Sequence, residues 1–240
     1  MSVTSGVQAL LFDVFGTVVD WRSSLIDDIG AFAAKRGLTA DWAAFADDWR
    51  RLYQPAMEEV RSGRRPFTIL DVLHRESLDQ LLAKYAIGGL EEADKDHLAK
   101  VWHRLRPWPD AVGGLHRLKR RFIIGTLSNG NVGLLTRMAK HAELPWDVVL
   151  GAETARAYKP QREAYLANVR LLNLEPGAVM LVAAHNGDLA AAAATGMRTG
   201  FVARPREYGP TQARDLGAER AWDVVTDSFH GLADALGCAR

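Results

Sequence analysis

The chain has 240 residues, 48% of them hydrophobic and 25% charged, with a formal net charge of +1. That profile fits an ordinary soluble globular protein, either one large domain or a core with an inserted subdomain, and leaves no global field to attract nucleic acid or an anionic membrane. No apolar run approaches the ~20 residues of a membrane span, the first residues lack a signal-peptide pattern, and the single cysteine, Cys238, cannot form an internal disulfide, so a cytoplasmic, reducing setting is expected.

Taken in chain order, residues 7–12 form an apolar run that reads as a buried strand, ending at Asp13 with a Gly16-Thr17 turn close behind. From about 23 to 105 the pattern turns helical. Leu25, Ile29, Phe32 and Ala33 share one spacing, and Trp42, Phe45, Trp49, Leu52, Ala56 and Val60 form a longer stripe. A third pattern starts near Phe67 and a fourth fits 97–105, so three to five helices and no strand are expected there. The prolines of RPWPD at 106–110 interrupt any helix. Beyond them helix and strand alternate: helix 110–120, strand 122–127, helix 131–141, strand 147–150, helix 161–173, strand 179–183, loop 184–187, helix 188–195, strand 199–202 and strand 223–225. RPREYGP at 204–210 reads as a loop after a strand, assigned only a dimer or cap contact.

This rhythm predicts an α/β fold, a doubly wound parallel sheet with helices on both faces. Residues 1–20 and 108–240 make the core, and 21–107 are an inserted helical cap that buries a site at the strand ends. Those ends carry Asp13, Ser128-Asn129 and His185-Asn186-Gly187-Asp188, with Lys159 in a loop just before a helix. Parallel strands bring such ends to one edge. Asp13 on its own could be a nucleophile, a metal ligand or a structural cap.

FDVFGT at 12–17, LSNG at 127–130, YKP at 158–160 and a strand followed by Asp at 181–188 resemble the four signatures of the haloacid dehalogenase superfamily, in that order. The resemblance implies a Rossmann-like core, and a helical cap inserted after the first signature is similar to that superfamily too. Its phosphatases usually carry a second Asp two residues after the nucleophile, as general acid for an alkoxide, and bind magnesium through a pair of acidic residues four apart near the last signature. Here those positions hold Phe15 and, four before Asp188, Ala184. A halide is a weak base and needs no general acid.

What remains resembles the type II, L-2-haloacid dehalogenase branch. The resemblance implies hydrolytic cleavage of the carbon–halogen bond of small 2-haloalkanoic acids through an ester on Asp13, giving the 2-hydroxyacid with inversion and using no metal or cofactor. It implies that Thr17 orients Asp13, that Arg50 and Asn129 receive the halide, and that Ser128 helps hold the substrate carboxylate. Lys159 would keep Asp13 ionised, and Asp188 would position Lys159 and the hydrolytic water. Tyr165 matches the family's spacing after Lys159, and Phe15 and Phe67 would line an apolar halogen pocket. The expected partners are the 2-haloacid and the halide, with a homodimer as the family-like assembly. His185 stands where the family carries Asn, so it takes over that role or acts as a base. A phosphatase or phosphonate hydrolase of this fold, and a non-catalytic binding protein, are the alternatives.

Overall fold

The computed structural model describes residues 6–239; residues 1–5, counted above in the core and in the N-terminal reading, and residue 240 lie outside the described residues. In chain order the elements are β1 (Ala9–Phe12), β2 (Val19–Asp20), α1 (Trp21–Arg36), α2 (Trp42–Arg61), α3 (Leu70–Lys84), α4 (Glu92–Ala99), β3 (Arg106–Pro107) and α5 (Ala111–Lys119). There follow β4 (Ile123–Ser128), α6 (Val132–His141), β5 (Val148–Gly151), α7 (Ala152–Ala155), α8 (Arg162–Leu171), β6 (Val179–Ala183), α9 (Asn186–Ala193), β7 (Arg198–Val202), β8 (Val224–Thr226) and α10 (Phe229–Ala235).

Six strands form one parallel sheet in the order β5-β4-β1-β6-β7-β8. Strand β1 is wholly buried, as is β6. That is why both are unbroken apolar runs rather than alternating ones. From β1 the chain runs outward to β4 and β5, then crosses back to β6, β7 and β8. The reversal puts a crevice at the carboxyl ends of β1, β4 and β6, the usual ligand position of such a sheet.

Helices α1 to α4 lie between β2 and β3, which pair as a short antiparallel ribbon at the foot of the insertion. The sequence pattern contains no signal for this ribbon, because two-residue strands leave no periodicity to read. The expected helix over 97–105 is corrected. Asp94 Oδ2 accepts the Glu91 N–H at 3.2 Å, so α4 starts at Glu92 and ends at Ala99, and residues 100–103 tighten into a 3-10 turn. Likewise α9 begins two residues earlier than expected, with His185 as its N-cap. That places Asp188 in the first turn of a helix, where a carboxylate is favoured by the helix dipole. Helices α7 and α10 were not anticipated.

The four-helix insertion has an aromatic core. Trp21, Trp49 and Trp102 are fully buried, and the His74 ring stacks on Trp102 with centroids 4.3 Å apart. Neither His74 ring nitrogen has a hydrogen-bond partner among the described residues. Burial disfavours the imidazolium and pulls its pKa from 6.5 to about 3. Between those values the unfolded chain binds a proton that the folded chain refuses, so stability is greatest above 6.5 and falls as the pH drops. His74→Leu is therefore expected to flatten the dependence of unfolding free energy on pH in that window by about 1.4 kcal/mol per pH unit. Urea denaturation across a pH series checks this, and an unchanged slope would refute it.

Candidate active site

Asp13 is the first residue beyond β1, and its N–H donates to Val182 O of the neighbouring β6 at 3.0 Å. Its two carboxylate oxygens have different surroundings. Oδ2 accepts the Thr17 hydroxyl at 2.8 Å and faces His185 Nδ1 at 3.1 Å. Oδ1 accepts from Lys159 Nζ at 3.2 Å. The Thr17 hydroxyl is itself aimed, because its oxygen accepts the Ala184 N–H at 2.9 Å. Lys159 also donates to Asp188 Oδ2 at 2.6 Å, and Asp188 Oδ1 accepts the Tyr165 hydroxyl at 2.7 Å. A single ammonium thus stands between two buried carboxylates.

Burial alone would raise the Asp13 carboxyl, but the Lys159 charge and the His185 and Thr17 contacts outweigh it and hold the group well below the ordinary carboxylate range. Asp188 is pushed the other way: burial and the Asp13 charge exceed the help from Lys159. Burial would lower the Lys159 ammonium, yet its two carboxylates raise it. The result is an ionised Asp13 with one oxygen, Oδ1, less engaged than the other.

These groups open into a cavity of about 400 Å³ lined from both sides, toward the small end of ligand sites. Arg50 of α2 enters from the helical insertion, its guanidinium 4.4 Å from the Tyr53 ring centroid. Arg50 Nη1 is buried with no hydrogen-bond partner among the described residues. Burial works against its charge, but Tyr208, Tyr53 and Glu207 more than restore it and raise its pKa. Asn129 accepts the Lys159 N–H through Oδ1 at 2.9 Å, which turns its amide N–H groups toward the cavity and the Tyr53 hydroxyl. Phe15 lines the same space and is only 2% exposed. Its ring packs edge-on to Tyr53 and Trp102, so the Asp13 turn is keyed into the aromatic core of the insertion.

Of the residues expected at the site, Asp13, Phe15, Arg50, Asn129, Lys159, Tyr165, His185 and Asp188 line the cavity. Thr17 lies beneath Asp13 and reaches the site through it. Ser128 is buried, with its hydroxyl oxygen accepting the Gly130 N–H at 3.2 Å, and does not border the cavity. Phe67 stacks on Tyr158 with centroids 5.4 Å apart and also lies outside it. Neither Ser128 nor Phe67 therefore stands among the cavity's lining residues, the one turned to the Gly130 backbone and the other to the Tyr158 ring.

Residues outside the expected set complete the walls. Tyr53 could have been found, since it sits three positions after Arg50 on one helix and so shares its face. The wall residues Tyr208 and Arg214, and Glu207 beneath them, could not. The cap contact expected of 204–210 is present, with Tyr208 edge-on to Trp21 of α1 at 5.8 Å between ring centroids, and the segment also reaches under the site. Arg204 forks onto Asp110 at 2.9 and 3.0 Å and donates to Thr17 O at 2.9 Å. That anchor carries Glu207 under the site, 1% exposed, where it meets His185 Nε2 at 2.8 Å and Trp21 Nε1 at 3.0 Å. Gly16 follows from the same packing. Its φ is +89°, and a Cβ there would sit 2.1 Å from Glu207 Oε1, so any other residue would strain the backbone and displace the Glu207 carboxylate.

A family model described as haloacid dehalogenase-like hydrolase matches residues 7–196. The curated (S)-2-haloacid dehalogenase 1 of Pseudomonas sp. (strain CBS-3) is 29% identical over 212 residues, 84% of this chain and 88% of that protein. The solved structure of the defluorinating L-2-haloacid dehalogenase Rha0230 is 49% identical with a TM-score of 0.95, covering 97% of this chain and 96% of that one. That of the L-2-haloacid dehalogenase PA0810 is 48% identical with a TM-score of 0.94, covering 97% and 99%.

Proposed function

The chain belongs to the haloacid dehalogenase-like hydrolases, and from that premise we propose that it is an (S)-2-haloacid dehalogenase. It cleaves the carbon–halogen bond of small 2-haloalkanoic acids by hydrolysis. Asp13 Oδ1, the freer oxygen of an ionised carboxylate, attacks the halogen-bearing carbon in line. The carbon–halogen pair departs with the halide, an ester forms on Asp13, and the configuration inverts. Arg50 receives the halide with its unpaired Nη1–H, assisted by the Asn129 amide. Water then attacks the ester carbonyl and releases the 2-hydroxyacid.

The observation that carries this reading is the pairing of Arg50 with Phe15. A buried guanidinium with an unpaired N–H at Nη1 is a receptor for a departing anion, and it shares its cavity with a phenyl ring at the position where phosphatases of this fold place their acid. The ammonium of Lys159 already fills the space between Asp13 and Asp188, so the reading needs no added cation. Among the described residues no helix is long and apolar enough to cross a membrane. A cytoplasmic setting is supported by the single, buried Cys238. A homodimer rests on family likeness, and sedimentation equilibrium reports it.

Halide release from L-2-chloropropionate is expected to proceed undiminished in EDTA, with no phosphate released from p-nitrophenyl phosphate in magnesium. Magnesium-dependent phosphate release without halide would overturn the reading.

A further inference from the structure

Two buried groups on the Oδ2 side of Asp13 have no part in displacement at carbon, His185, in contact with it, and Glu207 behind the ring. Both His185 ring nitrogens face carboxylate oxygens, Nδ1 toward Asp13 Oδ2 at 3.1 Å and Nε2 toward Glu207 Oε2 at 2.8 Å. An ionised carboxylate only accepts, so both nitrogens must carry protons and the ring is an imidazolium. A base whose nitrogens are both occupied cannot take a proton from water, which removes one of the two roles expected for this residue. The remaining contact is on Oδ2, the oxygen that becomes the ester carbonyl when Oδ1 is alkylated.

We propose that His185 is a catalytic residue of ester hydrolysis, its Nδ1–H and the Thr17 hydroxyl forming the oxyanion hole for Asp13 Oδ2, with Glu207 as the positioning residue that holds the ring. The inference rests on the dehalogenase reading and concerns its second half. The oxygen of water bonds to Asp13 Cγ, and the carbonyl π pair moves onto Oδ2, where two donors are already in place. One water proton passes to Asp188 and on to solvent. The oxyanion collapses, the Cγ–Oδ1 bond breaks, and the expelled alkoxide takes the other water proton from the new hydroxyl. The carboxylate is restored with one oxygen from water.

Glu207 matters because alkylation consumes the charge of Asp13. Before it, His185 faces two anions; afterwards only Glu207 remains. The neighbouring cations, Lys159 on Asp13 and Arg50 with Nη2 at 4.0 Å from Glu207, both act against the imidazolium, and Asp188 lies beyond Lys159. Arg214 and Asp215 line the same cavity. Burial would lower the ring's pKa, but Glu207 and Asp13 raise it well above its ordinary value, while His185 holds the Glu207 carboxyl down against its own burial. Donors preset at a developing oxyanion are worth about 10²–10³ in rate.

The test follows both half-reactions with L-2-chloropropionate, using rapid-quench halide release and intact-protein mass. His185→Ala is expected to give a halide burst equal to the enzyme, then turnover slowed about 10²–10³-fold, with the ester form accumulating. His185→Asn keeps a neutral donor and is expected to recover part of the hydrolytic rate. Glu207→Gln is expected to accumulate ester only as the pH is raised, when the ring loses its proton. Burst and turnover slowed equally in both His185 variants, with no ester on the protein, would overturn the assignment. A wild-type enzyme that releases no halide would instead overturn the dehalogenase reading, and this inference with it.

Discussion

Asp13→Asn is expected to lower halide release by about 10⁴-fold or more, because an amide cannot displace halide from carbon. Fold and cavity should survive, since Asn keeps the volume and can still accept from Thr17 through its oxygen. A complementary measurement uses the wild-type chain in heavy-oxygen water. In a single turnover the product hydroxyl is drawn from Asp13 Oδ1 and stays unlabelled, while the label enters the peptide containing Asp13. Direct attack of water on the substrate would reverse that distribution. An Asp13→Asn variant of full activity, or label found first in the product, would remove Asp13 as nucleophile.

The second large effect is expected at Lys159. The residue is 7% exposed, and its ammonium touches both Asp13 and Asp188. Lys159→Met leaves two buried carboxylates facing each other with no cation between them. Removing one partner from such a site costs about 3–5 kcal/mol, so chemical denaturation at neutral pH should show a loss of that order. One carboxyl must then hold a proton in the folded chain that the unfolded chain has already lost. The sign follows: the variant loses stability as the pH rises above the ordinary carboxylate pKa and regains it as the pH falls back. Halide release should collapse as well, since Lys159 is the first of the groups that keep Asp13 ionised. A variant of unchanged stability at neutral pH would show that the pair is solvated.

The turn after β1 shows how one short segment meets several demands at once. Phe15 packs into the aromatic core of the insertion, Gly16 leaves room for Glu207, Gly16 O accepts the Trp108 indole N–H at 2.8 Å, and Thr17 directs its hydroxyl at Asp13. The helical insertion is also tied down beside the site, with Arg61 donating to Lys159 O at 2.9 Å and Tyr158 to Thr68 O at 2.6 Å. Arg50 and Asp13 therefore come from different parts of the chain, and direct contacts hold those parts together.

Much of this was legible beforehand, for a local reason. A strand buried on both faces must be an apolar run, as at 9–12 and 179–183, and a polar residue ending such a run marks the sheet edge where ligands bind. Asp13, Asn129 and Asp188 could be picked out this way and Lys159 by the YKP signature, and Phe15 was informative for what it is not, a carboxylic acid. The placement of Arg50 was harder, because a helix stripe tells which face is apolar and not what the polar flank will meet.

What only the tertiary structure decided is the partnership of His185 and Glu207, and with it the difference between the two Asp13 oxygens. The sequence by itself determined the sheet, the helical insertion and a carboxylate at the end of β1, since periodicity and strand-end chemistry are local properties. The path of 204–210 has no period. It is set by Arg204 reaching Asp110 and Thr17, contacts 94 and 187 residues apart in the chain, and no local pattern encodes contacts at such separations.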